Sequence, residues 1–107
     1  MQANSTTKEI IQNIGKIFDK GLQNEYLSRS IGKIIEYEKG KTIEEVNTLR
    51  NELSRFESAY QMSSQDFFER FEKGDLGDKE DYFEWSAMYQ MYGRSVDRLT
   101  ILESHSA

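Results

Sequence analysis

Two segments of this chain repeat large apolar and aromatic residues at alternating spacings of three and four, and this feature most restricts the possible fold. The first stripe comprises Val46, Leu49, Leu53, Phe56 and Tyr60. The second comprises Tyr82, Trp85, Tyr89, Tyr92, Val96 and Leu99. Residues at this period lie on one face of an α-helix. The pattern predicts two helices, over about residues 42–61 and 79–103, that form an antiparallel hairpin in a small bundle.

Helix-start signals and glycines complete the predicted architecture. Thr6 and Thr42 each precede a glutamate by three residues, which predicts capping boxes, and Ser63 and Asp78 give weaker start signals. Further helices are predicted over about residues 7–20, 24–38 and 64–73, with a Gly-rich turn at 74–77. The chain contains no proline, which also favours helix. The fold class is therefore all-α, although the alternating residues near Ile35 leave a short strand open there.

The pattern also predicts how the chain is organised. Residues 1–41 form a mobile N-terminal helical segment, residues 42–104 the helical hairpin, and residues 105–107 a disordered tail. The two stripes offer more apolar surface than a hairpin of this size needs, so a homodimer is expected. The residues predicted to form its interface are Leu49, Leu53, Phe56, Tyr89, Tyr92, Val96 and Leu99.

Charge is distributed unevenly along the chain. Residues 1–60 contain nine basic and nine acidic side chains, whereas residues 66–84 contain eight acidic and three basic ones, interleaved with aromatics. Large apolar groups supply desolvation energy at interfaces, and carboxylates steer a basic partner. One interpretation is a solvated acidic face over an ordinary core. The other is a surface that binds a basic protein through Phe67, Phe68, Phe71, Asp75, Asp78, Asp81, Phe83 and Trp85.

Several functional classes find no support in the composition. The chain has no cysteine and one histidine, His105, which leaves no thiol nucleophile, zinc site or catalytic triad. We therefore expect neither an enzyme nor a cofactor. The acidic stretch after Asp75 does not match a calcium-binding EF-hand. No apolar run is long enough for a membrane span and no signal peptide is evident, so a cytoplasmic location is expected.

The stretch from Met62 to Trp85, MSSQDFFERFEKGDLGDKEDYFEW, resembles a pattern in small prokaryotic antitoxin-like proteins of the TumA type. Such proteins are usually encoded beside a TumE-like toxin. The resemblance covers about residues 56–92 and implies an antitoxin that neutralises a basic, nucleic-acid-acting toxin by direct contact. Two alternatives remain open: a self-associating helical scaffold, or a DNA-binding regulator acting through residues 1–41, which carry seven basic and five acidic side chains.

Overall fold

The computed structural model describes residues 6–21 and 24–104, and these residues form four α-helices and no strand. The helices are α1 (Thr7–Asp19), α2 (Glu25–Tyr60), α3 (Ser64–Glu72) and α4 (Glu80–Glu103). The predicted all-α fold class is thus confirmed, while the predicted tail at 105–107 lies outside the described residues. The chain divides into two compact units, Met1–Lys33 and Ile34–Ala107.

The predicted capping box begins α1 in the first unit. The Thr6 hydroxyl accepts a hydrogen bond from the Glu9 N–H at 3.1 Å, and the Glu9 carboxylate accepts one from the Thr6 N–H at 2.8 Å. These bonds satisfy N–H groups that have no partner within the helix. No residue of α1 is buried, and Ile11 on its apolar side is 62% exposed. The stability of this helix therefore depends on its cap and its local propensity more than on packing within the described chain.

Helix α2 corrects the prediction of two separate helices around Gly40. The backbone is helical from Glu25 through Tyr60, so the predicted stop at Gly40, the helix start at Thr42 and the alternative strand near Ile35 are wrong. The Thr42 hydroxyl does not cap a helix; it donates to the Glu38 carbonyl one turn earlier, at 2.8 Å. Threonine makes this bond inside helices, so its position before a glutamate does not require a helix start.

In the second unit, α4 runs antiparallel to the later part of α2. The Tyr60 hydroxyl, at the end of α2, donates to the Asp81 carboxylate at the start of α4, at 2.7 Å. Further along, the Ser95 hydroxyl donates to the Glu45 carboxylate at 2.6 Å. The predicted hairpin of two striped helices is therefore present.

Helix α3 and its turns connect the two arms of the hairpin. Ser63 caps α3 as predicted, accepting from the Asp66 N–H at 3.0 Å. After α3, Gly74 and Gly77 have φ of 80° and 86°, a region that glycine enters without steric cost. Asp78 does not cap α4, because the N-cap position is Lys79 and it makes no side-chain cap bond. The core lies where the three helices meet, at Leu53 of α2, Phe67 of α3 and Trp85 of α4.

Candidate interaction surface

Trp85 lies at the centre of an aromatic stack that holds α2, α3 and α4 together. Its ring is parallel to that of Phe67, within 4°, with centroids 3.9 Å apart. The Phe56 ring of α2 also stacks on the Trp85 ring, with centroids 5.5 Å apart. Both Trp85 and Phe67 are fully buried, so their side chains offer no surface to a partner. The prediction that these two residues contact a partner is corrected, because both are core residues. Trp85 also belongs to the second stripe, the apolar face of α4, which is consistent with its burial.

A buried hydrogen bond fixes the orientation of the Trp85 ring. The indole N–H donates to the Ser64 hydroxyl at 2.8 Å. The Ser64 backbone N–H in turn donates to the Glu57 carboxylate of α2, at 2.9 Å. This short chain of bonds links all three helices and satisfies the polar atom of the largest core residue. The role of Ser64 could not be predicted from the sequence, because its partner Trp85 lies 21 residues away.

The residues predicted for self-association also pack within the chain. Leu49 and Leu53 are 6% and 5% exposed, so this structure uses them for its own core, and the prediction that they face a second copy is corrected. Leu53 packs in the core with Phe67 of α3 and Trp85 of α4. The remaining members of the set are partly buried: Phe56, Tyr89, Tyr92, Val96 and Leu99.

All of the acidic side chains in residues 66–84 are exposed. They extend over α3, the connecting loop and the first turns of α4, and we call this region the acidic surface. Its carboxylates belong to Asp66, Glu69, Glu72, Asp75, Asp78, Glu80, Asp81 and Glu84. Asp75 and Asp78, predicted as partner contacts, therefore lie on the surface.

An exposed aromatic side chain accompanies these carboxylates. Phe83 is 56% exposed and meets the edge of the Phe71 ring at a centroid distance of 5.4 Å. Phe71 and Phe68 are partly buried and pack against the core. Of the five aromatic residues predicted as partner contacts, Phe83 presents the largest exposed fraction. A large, exposed apolar group that is held in place within an acidic segment has the composition of an interface anchor.

Asp81 has a structural contact as well as a surface position. The hydrogen bond that the Tyr60 hydroxyl donates to Asp81 raises the pKa of Tyr60, and partial desolvation and the Asp81 charge act in the same direction. The Lys79 ammonium lies 5.6 Å from the centroid of the Tyr60 ring and 5.9 Å from that of Tyr82. Asp81 therefore helps to join α2 to α4, in addition to any contact with a partner.

A groove of about 360 Å³ lies between α2 and α4 on the side of Tyr60. Phe56 and Tyr60 line it with aromatic surface, and Glu52, Asp81 and Glu84 contribute carboxylates. Arg55 also lines it and is paired with Glu52 at 3.2 Å. Aromatic faces and carboxylates together match the chemistry of a lysine or arginine side chain. This groove could not be predicted from the sequence, because its residues come from two helices that are far apart in the chain.

The N-terminal residues considered for DNA binding carry ion pairs of their own. Arg29 pairs with Glu25 at 2.8 Å, and Lys39 pairs with Glu36 at 3.2 Å. Such pairs reduce the positive potential that a phosphate backbone would meet.

Within residues 6–21 and 24–104, no helix is both long enough and apolar enough to cross a membrane. Comparison of the chain with protein-family models, curated proteins and solved structures finds no match.

Proposed function

We propose that this chain is a protein-binding antitoxin that takes up a basic, nucleic-acid-acting toxin on its acidic surface. The proposal rests on the exposure of eight carboxylates in residues 66–84 together with that of Phe83 in the same segment. The stack of Phe56, Phe67 and Trp85 fixes the helices on either side of the connecting loop. The resemblance of residues 62–85 to TumA-type proteins supports the same function. It also indicates the partner, the product of a neighbouring open reading frame.

The proposed mechanism is competition for a basic site. A toxin that acts on nucleic acid needs lysine and arginine side chains to bind phosphates. The acidic surface offers carboxylates to the same side chains and increases the rate of encounter. Phe83 then supplies apolar contact, and the groove at Tyr60 accepts one basic side chain. The toxin is inactive while its nucleic-acid site is occupied.

Rigidity of the acidic surface contributes to the affinity. The buried indole hydrogen bond and the aromatic stack hold α3 against α4 before any partner arrives. A surface that is already ordered loses less conformational entropy on binding than a flexible one. The fully buried aromatics thus support binding indirectly, by positioning the side chains that make contact.

The test is an acidic-surface variant that carries Asp75→Asn, Asp78→Asn and Glu80→Gln. Asp81 is retained because Tyr60 donates to it. Affinity for the purified product of the neighbouring open reading frame is measured by isothermal titration calorimetry at low and high salt. We expect roughly tenfold weaker binding at low salt and a smaller dependence of affinity on salt, since rim charges act mainly through steering.

A matched control changes the same number of charges elsewhere. The side chains of Glu36, Glu44 and Glu103 are exposed and lie outside the acidic surface, and they are changed together to glutamine. This control should bind like the wild-type protein. The proposal fails if the neighbouring protein does not bind at all, or if both triple variants behave alike.

A further inference from the structure

The groove at Tyr60 has a negative charge that its own residues do not compensate. Its lining includes three carboxylates, Glu52, Asp81 and Glu84, and one cation, Arg55. Arg55 neutralises Glu52, since one of its guanidinium nitrogens lies 3.2 and 3.3 Å from the two carboxylate oxygens. In the described part of the chain, neither Asp81 nor Glu84 forms an ion pair. Charge complementarity therefore favours a cation as the occupant of the groove.

The two unpaired carboxylates lie beside aromatic rings. Asp81 and Glu84 are three residues apart on α4, so they are neighbours on the helix surface, with Cβ atoms about 5–6 Å apart. On the α2 side, the partly buried Phe56 and Tyr60 rings stack on Trp85, at centroid distances of 5.5 and 5.7 Å. The Tyr60 hydroxyl donates to one oxygen of Asp81, which leaves the other oxygen to accept a bond. The groove thus combines fixed aromatic surface with acceptors on two neighbouring carboxylates.

This combination fits a guanidinium group better than an ammonium group. A guanidinium is planar, so it can lie flat against an aromatic ring while its N–H groups reach carboxylates at the edge of that ring. An ammonium is more strongly hydrated and binds as a point charge. The same two helices already hold one such contact elsewhere. The guanidinium carbon of Arg50 lies 5.0 Å from the centroid of the Tyr92 ring, and the Arg50 side chain also donates to the Tyr92 hydroxyl.

We propose that the groove at Tyr60 binds an arginine side chain of the partner in preference to a lysine side chain. The source of this arginine, a basic toxin, rests on the proposed function, and the residue type goes beyond it. The guanidinium lies against the aromatic wall and donates to Asp81 and Glu84. Its charge also relieves the repulsion between two carboxylates that lie one helical turn apart.

The test uses the full chain alone, with N-acetyl-arginine methylamide and N-acetyl-lysine methylamide as probes. Binding is measured at low salt from the backbone amide and aromatic ring signals in nuclear magnetic resonance spectra. The arginine probe should bind in the millimolar range and about threefold more tightly than the lysine probe, since a single exposed side chain makes few contacts. The largest shifts should occur at Tyr60, Asp81 and Glu84.

A single-charge variant tests the position of the site. Glu84→Gln removes a carboxylate that lines the groove and should weaken binding of the arginine probe about fivefold. Glu103→Gln is the matched control, because Glu103 is exposed on the same helix and lies outside both the groove and the acidic surface. This control should bind the probe like the wild type. Circular dichroism establishes that both variants are folded.

The outcomes separate this inference from the proposed function, because the partner is absent from the measurements. Equal affinities for the two probes overturn the preference for arginine. Equal binding by Glu84→Gln and Glu103→Gln overturns the groove as the site, as do shifts spread evenly over the acidic surface. A chain that binds the arginine probe in the groove but does not bind the neighbouring protein keeps the arginine site and loses its proposed partner. The reverse result removes the arginine site alone.

Discussion

Replacing Ser64 by alanine tests how much the buried indole bond contributes to the fold. The Ser64 hydroxyl accepts the N–H of Trp85, whose side chain is fully buried, and Ser64 itself is 4% exposed. Alanine removes the acceptor and leaves the donor without a partner in an apolar environment. Water has little access to this position, so the cost of the unsatisfied N–H is not recovered by hydration.

The expected loss of unfolding free energy is about 2 kcal/mol, within the range of roughly 1–3 kcal/mol for an unsatisfied buried polar group. A domain of this size has a total stability on the order of 5–10 kcal/mol, so the change is a large fraction of it. The melting temperature should fall by about 8 °C or more.

The assay is urea unfolding, followed by the fluorescence of Trp85, the one tryptophan in the sequence. The midpoint should decrease while the slope of free energy against urea stays constant, because the surface exposed on unfolding is unchanged. Ser54→Ala is the control, since Ser54 is an exposed residue of α2. If Ser64→Ala is no less stable than this control, to within about 0.5 kcal/mol, the buried bond does not have the role assigned to it.

Two further predictions concern other hydrogen bonds. The bond to Asp81 raises the pKa of Tyr60 above its usual value of 10.0, so the folded state keeps the phenolic proton to higher pH than the unfolded state. This bond therefore contributes its full stabilisation at pH values below the usual pKa. The contribution is lost as the pH rises through the pKa that Tyr60 has in the folded state. Tyr60→Phe should therefore be less stable than wild type at about pH 8 and more nearly equal at about pH 11; a constant difference would contradict this. Thr6→Ala should cost about 1 kcal/mol of helix stability in α1 and lower the helical circular dichroism signal, and an unchanged spectrum would argue against the cap.

The fold class and the hairpin could be predicted because their signals are local. Each stripe places its apolar residues on one helical face, and the caps at Thr6 and Ser63 depend on residues three positions away. The continuity of α2 through Gly40 could not be predicted in the same way. Thr42 has favourable hydrogen bonds either as an N-cap or inside a helix, and only packing of the long helix decides between them.

Which aromatic side chains are buried could not be predicted from the sequence alone. Phe67 and Phe83 lie in the same acidic, aromatic stretch, yet Phe67 is fully buried and Phe83 is 56% exposed. Their local sequences do not distinguish them, because burial depends on the angle at which α3 packs on α4. The burial of Trp85 is easier to predict, since its place in the second stripe already indicates a core position. The groove at Glu52 and Glu84 was beyond sequence reasoning, as it exists only once α2 and α4 are paired.

We propose above that Phe83 and the carboxylates of the acidic surface form the contact with a basic partner. The most direct test of this contact is the affinity of Phe83→Ala for the product of the neighbouring open reading frame, measured by titration calorimetry beside its melting temperature. Met91→Ala is the control, since Met91 is 42% exposed on the same helix. Phe83→Ala should lose about 2 kcal/mol of binding free energy, roughly thirtyfold in affinity, and should melt like the wild type. An affinity equal to that of Met91→Ala and of the wild type would contradict this proposal.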